Sequence, residues 1–326
     1  GENMSFFLSM LLALCLDRLI GWPDLVYRRL SHPVVGMGQI ISVLANRLNK
    51  PEWSASVRYI TGFISLSALL FLLAVACLSV VSVLPSGWAG IVLTAVLVWP
   101  FLAAKSLSSH IRAVEMALQA RDLPAARQAV AKIVGRNSSR LDTAGISRAA
   151  IESLAENTSD GVTAPLFWGV LFGLPGVVVY KAINTADSMI GYKTETYAAF
   201  GWAAARLDDL VNLIPARMTG FIYALLAKHW RQATQIMLTD APRHRSPNAG
   251  WPEAAVAAAL GIRLSGPRYY DGAATKDSWL NETGRDPGPA DISLALRLYS
   301  RLLWVVSLLL FLGAVLVFLL GNGAGL

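Results

Sequence analysis

An all-α integral membrane protein, with about four transmembrane helices, a re-entrant helical hairpin and a cytoplasmic helical layer, is the fold class that three features of the sequence predict. Of its 326 residues 55% are hydrophobic and only 15% are charged, a balance too apolar for an ordinary soluble domain. Charge is missing in blocks, with no Lys, Arg, Asp or Glu from Ile60 to Ala104 or from Leu302 to Leu326. The basic residues are gathered into the segments between the apolar runs, the pattern of a chain that crosses a membrane with a fixed orientation.

A hydrocarbon core about 30 Å thick takes roughly 20 helical residues to cross. The run at 60–84 is long enough, and 88–104 is a shorter second span; Pro85-Ser86-Gly87 breaks them into a hairpin. The run at 302–320 is a third span and 4–20 a fourth, with Asp17 and Arg18 at its inner end. Charge follows this first apolar run instead of preceding it, so it reads as a retained span and not a cleaved leader. Met4 reads as the natural start. Cys15 and Cys77 both fall inside expected spans, where they serve as small apolar residues.

Lys and Arg number five in 21–59, eight in 105–161 and fourteen in 181–301, and Arg18 completes the 28. The positive-inside rule therefore places segments 21–59, 105–160 and 181–301 in the cytoplasm and both termini outside. Residues 161–180 are uncharged and apolar, yet have basic sequence on both sides. Gly173-Leu174-Pro175-Gly176 interrupts them halfway, which predicts two half-helices that dip in and return, with protein or a polar cavity satisfying the broken backbone. The competing arrangement, in which this segment crosses and Leu210–Ala227 crosses back, would put Arg217 in mid-membrane at a cost of about 2.5–3.5 kcal/mol.

Apolar residues recur at helical spacing through Ile111, Val114 and Leu118, and again through Ala126, Val130 and Ile133, so 105–134 reads as two helices with Pro124 at the second start. Asp142 or Thr143 caps a helix to about Glu156, and Asn157-Thr158-Ser159-Asp160-Gly161 is turn chemistry. Further helices are expected at 177–190, 198–214, 216–236 and 252–260. Segment 262–290 reads as loop, with Tyr269 and Tyr270 in a short strand, and Asp291 caps the helix that enters the last span. The whole is read as one membrane domain, without internal repeats.

Three polar stripes stand out. Arg148, Glu152 and Glu156 are four residues apart, with Asn157 and Asp160 beyond, and a spacing of four stacks side chains on one helix face. Such a stripe is as readily a solvated salt-bridged face, but this one ends where the chain enters the uncharged segment, and ionisable groups at a membrane interior are functional by default. Lys181, Asn184, Asp187, Ser188 and Gly191 form the second stripe. Arg206, Asp208, Asp209 and Asn212 form the third, with Arg217 after Pro215. Carboxylates with amides suit Mg²⁺, which takes oxygen ligands and bridges to phosphates, and Lys and Arg neutralise phosphate oxygens. Mutual salt bridging that glues the helices is the plainer alternative.

His32 stands alone, which argues against zinc. No GxxxxGK[ST] loop and no GxGxxG occurs, so a nucleotide would bind without those cradles. Neither Gly-x-Ser-x-Gly nor a Cys/His pairing points to a covalent hydrolase. The +7 net charge, confined to loops beside apolar spans, points to a membrane surface and anionic ligands and not to nucleic acid.

At these same residues the chain resembles the adenosylcobinamide-phosphate synthase (CobD/CbiB) family of cobalamin biosynthesis. The resemblance runs through Leu16-Asp17-Arg18-Leu19-Ile20-Gly21, His32-Pro33-Val34, Ile133-Val134-Gly135-Arg136, Ala155-Glu156-Asn157-Thr158-Ser159-Asp160-Gly161, Ala164-Pro165-Leu166-Phe167, Tyr180-Lys181-Ala182-Ile183-Asn184-Thr185, Asp187-Ser188-Met189-Ile190-Gly191-Tyr192-Lys193, Ala205-Arg206-Leu207-Asp208-Asp209 and Ser246-Pro247-Asn248. It implies a multi-pass enzyme of the bacterial inner membrane with its active site facing the cytoplasm. The implied reaction is ATP- and Mg²⁺-dependent amide formation between a propionate of adenosylcobyric acid, a corrinoid, and 1-amino-2-propanol or its O-phosphate, through an acyl phosphate. The implied partners are these substrates, lipid and other enzymes of cobalamin assembly.

By the same resemblance Glu156, Asp160, Asp187, Lys181 and Arg206 are assigned to catalysis and Asp187, Asp208 and Asp209 to the metal. His32, Arg136, Asn157, Asn184, Ser188, Lys193, Arg217 and Asn248 are assigned to substrate or phosphate. Two positions depart from the family pattern: Asn137 stands where an Asp often follows Gly-Arg, and Trp22 stands inside what is often Gly-Asp-Pro. These departures keep open a non-catalytic membrane sensor on the same scaffold. A transporter is the other alternative, although transporters usually show internal repeats and more spans.

Overall fold

A computed structural model of the chain describes residues 2–22, 32–134, 138–192, 194–267, 269–270 and 273–323. It is helical nearly throughout, as an all-α membrane protein should be. Among the described residues four helical stretches are long and apolar enough to cross a membrane: Ala55–Val83, Trp88–Gln119, Thr143–Ile190 and Pro289–Leu320. The run expected as the first span is helical, α1 (Glu2–Leu19). It is not among those four, because Glu2, Asp17 and Arg18 fall within its 18 residues.

Packing divides the chain into two compact units, where the sequence suggests one domain. The first comprises residues 1–103, 164–211 and 307–326, and the second 104–163 and 212–306.

In the first unit, α2 (Pro33–Leu48) starts at His32, whose side chain accepts from the Val34 N–H, with Pro33 in the first turn, where its missing N–H costs nothing. Ser54 caps α3 (Ala55–Val83) in the same way through the Val57 N–H. Its 29 residues reach about 43 Å at 1.5 Å each, and side chains such as Phe71, 67% exposed, leave an apolar outer face for lipid. After Pro85-Ser86-Gly87 comes α4 (Trp88–Val98), closed by a 3₁₀ turn at Trp99–Phe101. It packs against α1.

The uncharged segment forms α8 (Ala164–Ile190), taking α5 as Ala104–Gln119, α6 as Leu123–Ala131 and α7 as Thr143–Thr158. It is not a straight rod. Gly173 has φ 64° and ψ −146°, and a Cβ on Gly176 would lie 2.2 Å from the Trp168 carbonyl oxygen. Residues eight apart in a continuous helix are separated by about 12 Å, so the chain doubles back at the Gly173 break. The second half of α8 packs against α2, α3 and α9 (Trp202–Val211) around Ile41, Leu66, Leu69, Ile190 and Phe200.

The second unit holds α5, α6 and α7, then α10 (Leu213–Leu226), α11 (Trp230–Asp240), α12 (Gly250–Leu260) and the first part of α13 (Pro289–Gly323). Asp142 caps α7 by accepting from the Gly145 N–H. The single helix expected at 216–236 is two, parted at Lys228-His229, and 198–214 shortens to α9. The segment after α12 carries short strands as well as loop. β1 (Leu264–Ser265) pairs antiparallel with β4 (Trp279–Leu280), and β2 (Tyr269–Tyr270) with β3 (Ala273–Ala274). Asp291 sits inside the first turn of α13, where its carboxylate accepts from Gly288 N and from Arg285; Pro289 takes the helix start instead.

Candidate functional site

In the first unit the second polar stripe meets Arg206, Asp208 and Asp209 of the third across α8 and α9. Steps of three keep Lys181, Asn184 and Asp187 to one side of α8. The Asn184 amide donates to Asp208 Oδ1 at 3.3 Å, and Arg206 pairs with Asp209 at 2.8 Å within α9. Asp187, half-buried, is within electrostatic reach of both Asp209 and Arg206. Gly191 is shaped to this carboxylate: its N–H donates to the Asp187 carbonyl at 2.7 Å, and a Cβ there would meet Asp187 Oδ1 at 2.0 Å. Ser188 is exposed and turns its hydroxyl back to the Asn184 carbonyl.

The expected trio of metal carboxylates does not close into a cage. Among the described residues no three of His, Cys, Asp and Glu come together as a ligand set. Asp208 and Asp209 are neighbours on one helix and so point about 100° apart, the first to Asn184 and the second to Arg206. What remains is an oxygen-rich site with one or two carboxylates to offer. That suits Mg²⁺, which keeps several waters and completes its octahedron with substrate phosphates.

The first stripe divides. Arg148 and Glu152 tie down the segment after α12: Arg148 pairs with Asp286, Glu152 Oε1 accepts from Ser265 N at 2.7 Å, and Arg148 and Arg263 lie 4.9 and 4.3 Å from the Trp279 ring centroid. One turn on, Glu156 is exposed. Asn157 is held by the Ser153 carbonyl at 2.9 Å, and Asp160 lies in a π-helical turn, Ser159–Thr163. Such turns are common at functional sites. Also in the second unit, Arg217 donates to the Leu213 carbonyl and stacks 4.5 Å from the Trp251 ring, and Asn248 is buried. Arg136, Lys193 and the departure at Asn137 lie outside the described residues.

His32 is both a helix cap and a neighbour of the site, and Trp22 packs edge-on against it at 5.0 Å and against Trp99 at 5.9 Å. Burial first, and then the Lys181 charge, hold its imidazole below the usual histidine range. The unfolded chain therefore binds a proton that the folded chain resists. Stability is full above the ordinary histidine pKa, about 6.5, and falls as pH drops from there to the lowered folded value. We expect His32→Asn, which keeps a capping acceptor, to remove that slope; thermal unfolding between pH 5 and 8 measures it.

Some residues that shape these groups leave no trace in sequence spacing. Tyr223 is buried on α10, and its hydroxyl shares a 2.7 Å hydrogen bond with Thr158, immediately before the π turn. Burial drives its pKa well up, so the phenol stays neutral. His244 and Glu253 form a second buried pair at 3.6 Å. Only a partner 65 residues away gives Tyr223 its meaning, and no local pattern encodes that. Tyr223→Phe keeps the ring and loses the hydrogen bond, so it should cost about 0.5–1.5 kcal/mol, read as a lowered unfolding temperature in detergent.

The family model described as CobD/Cbib protein matches residues 10–299. The chain is 50% identical over 313 residues to the cobalamin biosynthesis protein CobD of Rhodobacter capsulatus, covering 96% of this chain and 99% of that protein. It is 48% identical over 296 residues to the protein of the same name from Brucella suis, covering 88% and 90%. To that of Sinorhizobium fredii it is 45% identical over 309 residues, covering 92% and 94%. No solved structure matches it. A match that takes in all three polar stripes and nearly every helix places the chain in the CobD/CbiB family.

Proposed function

We propose that this protein acts in cobalamin biosynthesis as an ATP-dependent amide synthetase of the bacterial inner membrane, with its polar side toward the cytoplasm. It joins a propionate carboxylate of adenosylcobyric acid to 1-amino-2-propanol or its O-phosphate, giving adenosylcobinamide or its phosphate. Family membership over residues 10–299 carries the pathway. The grouping of Lys181, Asn184, Asp187, Arg206, Asp208 and Asp209 on α8 and α9 supports the chemistry.

A carboxylate does not react with an amine at neutral pH. In the proposed route its oxygen attacks the γ-phosphorus of ATP and ADP leaves; the amine then attacks the acyl phosphate and inorganic phosphate leaves. One or two of Asp187, Asp208 and Asp209 would hold Mg²⁺, which would supply charge neutralisation at the phosphoryl group. Lys181 and Arg206 hold anionic oxygens of the phosphate and propionate. Asp187 takes the proton that the attacking amine must shed. Asp208 and Asp209, oriented by Asn184 and Arg206, keep that cation pair in register.

The purified protein in detergent, given adenosylcobyric acid, aminopropanol phosphate, ATP and Mg²⁺, should form the amide with one ADP per product. Lys181→Ala should lower kcat/KM at least tenfold. A folded wild-type protein that binds corrinoid but releases neither amide nor ADP would sink the synthetase in favour of a sensor.

A further inference from the structure

Beside the polar stripe of α8, within the first unit, lies a cleft of about 580 Å³ between α2 and α8. Val34, Val35, Gln39 and Val43 line it from α2, and Thr185 and Met189 from α8. The helices come close at Gly38, where a Cβ would lie 3.2 Å from Met189 Sδ. Val35 and Val43 are 40% and 49% exposed, so the walls are largely apolar and open.

One end of this cleft is cationic. Lys181, Thr185 and Met189 are four residues apart and so share a face of α8, and the Lys181 charge is felt at His32, the residue that caps the start of α2. The N-terminus of α2, with its positive dipole end, lies at that same end. An apolar trough closed by a cation suits a broad ring with an apolar face that carries an anionic group on a short arm. Val34, Thr185 and Met189 also fall inside the stretches that carry the family resemblance, which favours a substrate over a chance groove. With 16 residues, α2 is short of the roughly 20 needed to cross a bilayer, so its apolar wall is not that of a spanning helix.

We infer that this cleft binds the corrinoid substrate, with the methyl-bearing face of the macrocycle against Val35, Val43 and Met189 and the reacting propionate directed to Lys181. The inference rests on the proposed amide synthetase. It adds where the large substrate lies, and it makes α2 the element that sets corrinoid specificity.

Val35→Trp and Gln39→Trp fill the cleft from exposed positions that the fold tolerates, and Gln39→Glu sets a carboxylate against an incoming one. Ile40→Trp, on α2 and exposed but outside the cleft, is the control. Binding of adenosylcobyric acid, followed by its visible absorbance, and KM values for all three substrates are the readouts. We expect both Trp variants to weaken corrinoid binding at least tenfold and Gln39→Glu at least threefold, with KM for ATP and the amino alcohol within twofold. Ile40→Trp should match wild type.

Unchanged corrinoid affinity in both Trp variants, with wild type still forming amide, overturns the cleft and leaves the synthetase. No amide and no corrinoid binding by wild type overturns both. Co-purified phospholipid that is lost in Val35→Trp without a change in corrinoid affinity assigns the cleft to lipid and also overturns the inference.

Discussion

Asp187→Asn is expected to lower kcat for amide formation by about 100-fold or more while leaving the unfolding temperature nearly unchanged. The substitution keeps the shape and one acceptor oxygen and removes only the charge and basicity. A positioned general base contributes typically 10²–10⁴ in rate, and Asp187 is the carboxylate of α8 with both Arg206 and Asp209 in electrostatic reach. The chain also reserves space for it, since a Cβ at residue 191 would lie 2.0 Å from its Oδ1. Gly191→Ala should therefore reproduce much of the loss by moving a carboxylate that is still present. A merely structural Asp187 would lower the unfolding temperature in both variants and leave kcat per folded molecule intact. Single-turnover measurement of ADP release beside amide release separates the two.

The apolar elements were legible because the bilayer imposes a single length and a single chemistry on them. Ala55–Val83 takes in the run read at 60–84 up to its last residue, Pro289–Leu320 contains the run at 302–320, and the reversal fell at Gly173, where a glycine-proline break interrupts uncharged sequence. Polar residues were legible as stripes but not as partners. Arg148, Glu152 and Glu156 share a helix face, yet two of them tie down the segment after α12 while the third is exposed. Periodicity reports which side of a helix a residue is on and not what packs there. Asp208 and Asp209 turn to different partners, Asn184 and Arg206, for a related reason, since neighbours on a helix diverge. Tyr223 and the α2–α8 cleft depend on residues far apart in the chain, and one sequence holds no signal for such pairs.

Gly173→Ala is the second large effect expected, and it tests the hairpin directly. The residue has φ 64° and ψ −146°, a region that is essentially glycine's alone and costs other residues about 1–3 kcal/mol. A Cβ would also come within 2.9 Å of the Phe6 ring, a side chain that has to give way. With total stabilities of about 5–15 kcal/mol, the folded fraction in detergent should fall measurably and the unfolding temperature with it. Gly36→Ala is the same chemical change with the opposite sign. Gly36 lies inside α2 with nothing within 4 Å of the added carbon, and replacing a mid-helix glycine by alanine gains about 0.5–1 kcal/mol. If α8 instead ran straight through residue 173 as a single helix, both substitutions would stabilise the protein. A loss at 173 beside a gain at 36 therefore separates a chain that turns back within its apolar segment from one that continues through it.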